Sequence, residues 1–288
     1  MATENDRIER LLTHAGDIPT LPSTVFRIMQ LTEDPSCNAG DLAQVLLSDP
    51  PLAARVLKLA NSAYYGFSQK IGSVQQAITL LGFSTLKNVL LSASVFDFYR
   101  LGGMGIDLGG LWKHSIATAT AAKLIAKRIR YPNVEKAYTV GLLHDIGKIV
   151  IARYLPNGLN HIAQMVKTQQ CSVYDAETRI LGANHAGIGA FVLEKWNLPP
   201  AITEAVEFHH HPTQSHFQFY MAAICYLANI LAHRSKIGNS GDEMEREMDP
   251  MVRDYFGLTS QHLQELQDNL VFKRLEIEAF CALASNRV

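Results

Sequence analysis

The sequence predicts an all-α fold, and three observations carry that reading. Strand signals are poor, with no Asn-Gly hairpin and no long alternating β-branched run. Helix boundaries recur as N-caps, initial prolines and stop glycines. Between those boundaries, apolar residues return every three to four positions. The chain has 288 residues, 48% of them hydrophobic and 18% charged. That is enough to bury the cores of about two domains.

Asp49-Pro50 reads as an N-cap followed by proline at the first helical position, and Leu52, Val56 and Leu59 then share a face. Ser73 and Gln76 have capping-box spacing. Val74, Ala77, Ile78 and Leu81 follow at helical spacing, and Gly82 ends that helix. A further helix is expected from Ser84 to about Tyr99. Residues 101–110 (LGGMGIDLGG) contain five glycines and read as a connector between two halves. Their spacing is not GxGxxG and no strand precedes them, so a phosphate-cradling loop is not inferred. Beyond the connector, helices are expected at 111–130, 134–154, 159–169, 173–181, 185–196, 199–211 and 217–235. Residues 238–250 (GNSGDEMEREMDP) read as a solvated loop. Helical periodicity resumes at Asp254 and ends near Ser285. The expected organisation is a helical half over 1–100 and a larger helical bundle over 111–288.

Composition excludes several functions. Twenty-six Lys and Arg stand against 27 Asp and Glu, a net charge of −1. That balance argues against a surface built for nucleic-acid phosphates, so no direct nucleic-acid partner is expected. Cys37, Cys171, Cys225 and Cys281 are scattered without CxxC spacing, which argues against a cysteine zinc site or a disulfide framework. The polar N-terminus lacks an apolar signal region. No apolar run reaches about 18 residues. The expectation is a soluble, cytoplasmic protein without membrane contact. Tyr64 and Tyr65, near Gly66 and Phe67, form an aromatic cluster at a helix end, expected to pack under the second half, with an exposed partner site as the alternative.

Eleven histidines is a high count. The sharpest signal is His144-Asp145, within VGLLHDIGKIVI. Neighbours on a regular helix point about 100° apart, so both reach one cation only at a helix end or kink. The carboxylate has two oxygens and can bridge two ions, while imidazole offers a neutral nitrogen. Gly147 permits close backbone approach, and Lys148 lies one turn from His144, able to meet an anion. His114, His185, and His209 to His211 supply further partners. An acidic ligand is wanted on the helix CYLANILAH, which offers Asn229 instead. The bland alternative is a hydrogen-bonded His–Asp pair that orders helix packing without metal. His14, His161, His216, His233 and His262 read as surface or packing residues.

HDIGK, with an upstream helical histidine and downstream His and His-His, resembles the HD superfamily of metal-dependent phosphohydrolases. LPSTVFRIMQLTEDP, LAQVLLSDPPLAARVLKLANSAYYG and IGSVQQAITLLG sharpen this. With Asn184-His185-Ala186 and Trp196-Asn197-Leu198-Pro199 they resemble the HDOD family, its signalling branch, over about residues 15–235. The resemblance implies a metal held by His114, His144, Asp145 and the position of Asn229. His185, His209 and His210 match the histidines that relatives with two or more metals add. A neutral amide at Asn229 puts hydrolysis in doubt. Relatives that cleave cyclic di-GMP carry a GYP motif after the late His-His, whereas this chain reads HHHPTQSHFQFY. The reading favoured is a non-catalytic signal-transduction module that binds a divalent metal (Fe, Mn, Zn or Mg), with signalling proteins as partners and a phosphorylated or nucleotide ligand possible. The alternative is a metal-dependent phosphohydrolase, in which Asp145 and Lys148 would be catalytic.

Overall fold

The computed structural model describes residues 4–12, 20–100, 105–242, 244 and 247–285, and among them every regular element is helical. The chain divides into two compact units. One comprises Thr20–Phe98 together with the C-terminal segment from Lys273. The other comprises the N-terminal segment to Pro19 and Tyr99–Phe272. The boundaries differ from the expected 1–100 and 111–288, because the segment to Pro19 joins the second unit and the last helix joins the first.

In the first unit the order is α2 (Ser23–Leu31), α3 (Ala39–Leu47), α4 (Pro50–Ala60), α5 (Val74–Arg100, as far as Phe98) and α16 (Arg274–Ser285). Asn38 caps α3 with a full capping box to Asp41, and the Asp49 carboxylate caps α4 by accepting from Leu52 N. Ser73 Oγ accepts from Gln76 N and starts α5. Gly82, at φ 74°, breaks α5 into two helical stretches, so its expected role as a stop holds within a continuous element. By length and composition α5 could cross a membrane (mean hydropathy 1.4 over its best window), but 56% of that window is buried within the protein. Tyr64 and Tyr65 pack on Phe280 of α16, which lies in the expected C-terminal half of the sequence but in the same unit as the tyrosines. Ring centroids of Tyr64 and Tyr65 lie 5.0 and 6.2 Å from that of Phe280. Phe280 is fully buried, and burial of such a ring contributes ~1.5–3 kcal/mol.

The second unit opens with α1 (Glu4–Leu12) and continues through α6 (Leu108–Arg128), α7 (Val134–Leu143), α8 (Ile146–Tyr154), α9 (Pro156–Gln169), α10 (Val173–Leu181), α11 (His185–Lys195), α12 (Pro200–Glu207), α13 (Phe219–Arg234), α14 (Pro250–Tyr255) and α15 (Ser260–Phe272). Residues 101–104 of the expected connector lie outside the described residues. Its last glycines, Gly109 and Gly110, belong to the first turn of α6, which Asp107 caps through Gly110 N. Helix α6 packs on α7 and α13, α11 packs on α8 and α12, and α12 joins the two groups through α7 and α13. The expected 134–154 helix is broken at His144-Asp145, and the expected 199–211 helix stops at Glu207. Both breaks place histidines at turns, and both border the same buried space.

Candidate metal centre

Five segments deliver side chains to that space. His114 comes from the middle of α6, and His144 and Asp145 from the α7–α8 break. His185 begins α11, where Asn184 caps the helix by accepting from Ala186 and Gly187 N. His209 and His210 follow α12, and Asn229 comes from α13. His114, His144, Asp145, His185 and His209 are each at most 1% exposed, and His210 is 8% exposed.

The donors form two groups that meet at one carboxylate. His114, His144 and Asp145 present ligand atoms within 4.8 Å of one another, and so do His185, His209 and His210. Asp145 Oδ2 lies 3.3 Å from His144 Nε2 and 3.9 Å from His114 Nε2. Asp145 Oδ1 lies 3.3 Å from His185 Nε2. Two ligands each about 2.1 Å from one ion sit roughly 3–3.4 Å apart, so most of these spacings suit a shared ion.

Backbone and carboxylate groups fix the ring orientations. His144 Nδ1 donates to Gly141 O at 2.8 Å, and His209 Nδ1 donates to Val206 O at 2.6 Å. Each ring therefore turns a bare Nε2 inward. His185 Nδ1 donates to Glu177 Oε2 at 2.6 Å, and the same oxygen accepts His185 N at 2.8 Å. A neutral His185 then has a bare Nε2, which lies 2.8 Å from His210 Nε2. With His185 Nε2 bare, the tautomer of His210 that donates from Nε2 satisfies this contact. His114 Nε2 lies 2.9 Å from Asn229 Oδ1. His144 Nε2, His209 Nε2 and Asp145 Oδ1 are buried and make no hydrogen bond. Buried polar atoms are normally satisfied, so three orphans converging on one space are what a cation site requires. The donor set of imidazoles with one bridging carboxylate fits iron, manganese or zinc.

Electrostatics agree with a site tuned to hold lone pairs. Burial, reinforced by His144, pushes His114 down to about 3. Burial, with His144 and His185, also holds His209 well below the ordinary imidazole value. For Asp145 burial would raise the carboxyl, but His144, Lys148 and His185 outweigh it and hold it well below the usual range. Lys148 Nζ donates to Asp145 Oδ2 and to Ser240 O, each at 2.9 Å.

Ser240 corrects the reading of 238–250 as a solvated loop. Its first residues are a strap over the centre. Ser240 is 7% exposed, Asn239 N donates to Gly110 O, and His233 Nε2 donates to Asp242 O. Gly238, at φ +77°, runs so close to α6 that a Cβ there would lie 2.2 Å from His114 N. His233, read as a surface or packing residue, is thus half-buried and tied to the strap. His211 is exposed, outside the group.

Sequence reasoning did not find Glu177, Ser240 or the two carbonyl acceptors. Glu177 had a signal. Val173, Ala176 and Ile180 make an apolar stripe at helical spacing, and Glu177 sits within it, 2% exposed. A carboxylate on a buried stripe needs a partner, and here the partner is His185.

Comparison with known proteins places this architecture. The HDOD domain model matches residues 18–212. A crystal structure of an HDOD domain protein from Geobacter sulfurreducens superposes with TM-score 0.82 at 24% identity, covering 96% of this chain and 97% of that one. A candidate signal-transduction protein from Marinobacter aquaeolei VT8 superposes with TM-score 0.80 at 26% identity, covering 98% of this chain and 65% of that one. A relative from Treponema pallidum (strain Nichols) is 28% identical over 196 residues, which is 68% of this chain and 38% of the relative. The chain thus spans well under half the length of that curated relative.

Proposed function

This chain belongs to the HDOD domain family, and we propose that it is a signal-transduction module whose buried His/Asp centre binds a divalent metal without catalysing hydrolysis. The observation that carries this reading is Asn229, whose Oδ1 stands 2.9 Å from His114 Nε2 where a carboxylate would bring charge. His114, His144, Asp145, His185, His209 and His210 would hold the metal. Bound there, a divalent ion supplies positive charge and Lewis acidity. The residues around it are poorly suited to moving protons. General bases work best with a pKa near the operating pH, and His114, His209 and Asp145 are all displaced downward. Lys148 neutralises Asp145 and ties it to the strap, which makes the centre a structural link. The role of the M. aquaeolei neighbour in signalling supports extending that role here, with other signalling proteins as partners.

A second reading, metal-dependent phosphoester hydrolysis, is favoured by one feature. A cleft lined by Lys148, His210, Asn229, His233, Arg234 and Asp242 borders the centre, and its two cations outnumber its one carboxylate. Elemental analysis of untagged protein loaded with Fe, Mn, Zn or Mg separates the readings, together with turnover of bis-(p-nitrophenyl) phosphate. The expected result is bound metal that Asp145→Ala and His144→Ala both lower, with no turnover. Turnover abolished by Asp145→Ala establishes the second reading. Absence of metal under every loading condition leaves a structural His–Asp cluster.

A further inference from the structure

We propose, resting on the metal reading above, that residues 238–242 form a gate. It sets how fast an ion enters and leaves the His/Asp centre, without setting how tightly the ion is held. The donors are buried, with His114, His144, Asp145, His185 and His209 each at most 1% exposed. The cleft that borders them runs between α13 and the strap. Asn229 and His233 line its α13 side, Ser240 and Asp242 its strap side, and Lys148 and His210 complete it. Its volume is about 30 Å³, room for roughly one or two waters. A divalent ion in solution carries a shell of several waters, so its passage requires the cleft to widen.

The strap is the wall that can move. Most of α13 is buried in the core, from Met221 to Ala228 without interruption, and shifting it would disturb that packing. The strap is fastened by a few polar contacts instead. Asn239 N donates to Gly110 O at 2.8 Å, Lys148 Nζ to Ser240 O at 2.9 Å, and His233 Nε2 to Asp242 O at 2.7 Å. Segments held by few contacts open at the least cost. Gly241 N donates to Asn239 Oδ1 and Asp242 N to Ser240 Oγ, so the strap keeps its own turn as it lifts. Gly238 and Gly241, both at φ +77°, bracket Asn239 and Ser240 and supply the hinge positions.

His233 is the latch. Its bond to Asp242 O joins the two sides of the cleft. Lys148 also fastens the strap, but it holds Asp145 as well, so its loss would disturb a ligand. The His233 ring is tied to a strap carbonyl, and removing its N–H leaves the donor set as it is. A group that holds the gate shut without touching the ion changes the height of a barrier and not the depth of the well behind it.

The test uses His233→Phe, which keeps a ring and removes the donor, in the whole untagged chain with Zn²⁺ as the probe. Uptake is timed by quenching with a chromogenic chelator, release by excess chelator, and the dissociation constant is measured separately at equilibrium. Uptake and release should both accelerate by the same factor, about two- to tenfold, as loss of one hydrogen bond provides. The dissociation constant should stay unchanged. In metal-free protein the Asn239 amide, followed by NMR, should exchange with solvent faster by a similar factor. Unchanged rates, a change in only one rate, a shifted dissociation constant, or an Asn239 amide as protected as in the parent would each overturn the gate while leaving the metal reading standing. A parent chain that takes up no Zn²⁺ would instead overturn the metal reading, and the gate with it.

Discussion

Replacing Gly147 with alanine tests whether the crossing of α8 and α11 builds the centre. A Cβ on Gly147 would lie 2.0 Å from His185 O and 2.8 Å from Gly189 N, both backbone atoms. Real Cβ contacts essentially never fall below 3.0 Å, so the helices must part by about 1 Å at this point. Neither backbone can swing aside as a side chain could. Overpacking of this kind costs about 1–3 kcal/mol. Helix propensity acts in the opposite direction, since alanine at an unstrained helical position gains about 1 kcal/mol over glycine. The two effects have opposite signs, which makes the experiment decisive. Gly147→Ala should lower the urea midpoint with an unchanged m-value. It should also lower metal affinity, because parting the helices moves His185 Nε2 away from Asp145 Oδ1, now 3.3 Å apart. A variant as stable as the parent, or more stable, with intact metal binding, would refute the claim that this close approach positions His185.

Three further outcomes follow from the site. Asn229→Asp should raise divalent-metal affinity by about tenfold or more, since it adds a charged ligand beside His114; a calorimetric metal titration that shows no gain argues against an ion on the His114 side. Glu177→Gln should cost about 10–100-fold in metal affinity, because it loosens the ring orientation of His185; unchanged affinity would mean that His185 is positioned by packing alone. In metal-free protein, stability should fall as pH drops below 6.5, the ordinary imidazole value, towards about 3, the value of His114 in the fold. The unfolded chain takes up protons in that window and the buried rings do not, so His114 and His209 each cost about 1.4 kcal/mol per pH unit. Denaturant midpoints measured across that range should drop steadily, and a flat profile would show that the rings are protonated within the fold.

The caps that start α4 and α5 were legible because Asp49, Ser73 and Gln76 act within one turn of their own helices. The helical class was legible for the same reason. What escaped the sequence depended on contacts between distant elements. VGLLHDIGKIVI keeps its apolar periodicity through His144-Asp145, so nothing local marks the break there. The break follows from the burial of both side chains beside His185 and Lys148. Likewise the composition of residues 238–242 is that of any polar loop. Only the approach of Gly238 to His114 N and the bond from Lys148 to Ser240 O turn it into a cover. The side chains of the centre were recognisable because HDIGK and the flanking histidines resemble a family motif. Their orienting carbonyls, Gly141 O and Val206 O, carry no residue-type signature at all.

The return of α16 to the first unit has a consequence for biosynthesis. As the nascent chain leaves the ribosome, residues 20–98 emerge early, but the face that receives Ile277, Phe280 and Cys281 stays uncovered until α16 has been made. Residues 99–272, the greater part of the second unit, are translated in that interval. The half that is synthesised first is therefore the half completed last, and its exposed tyrosines are where a holding chaperone would be needed.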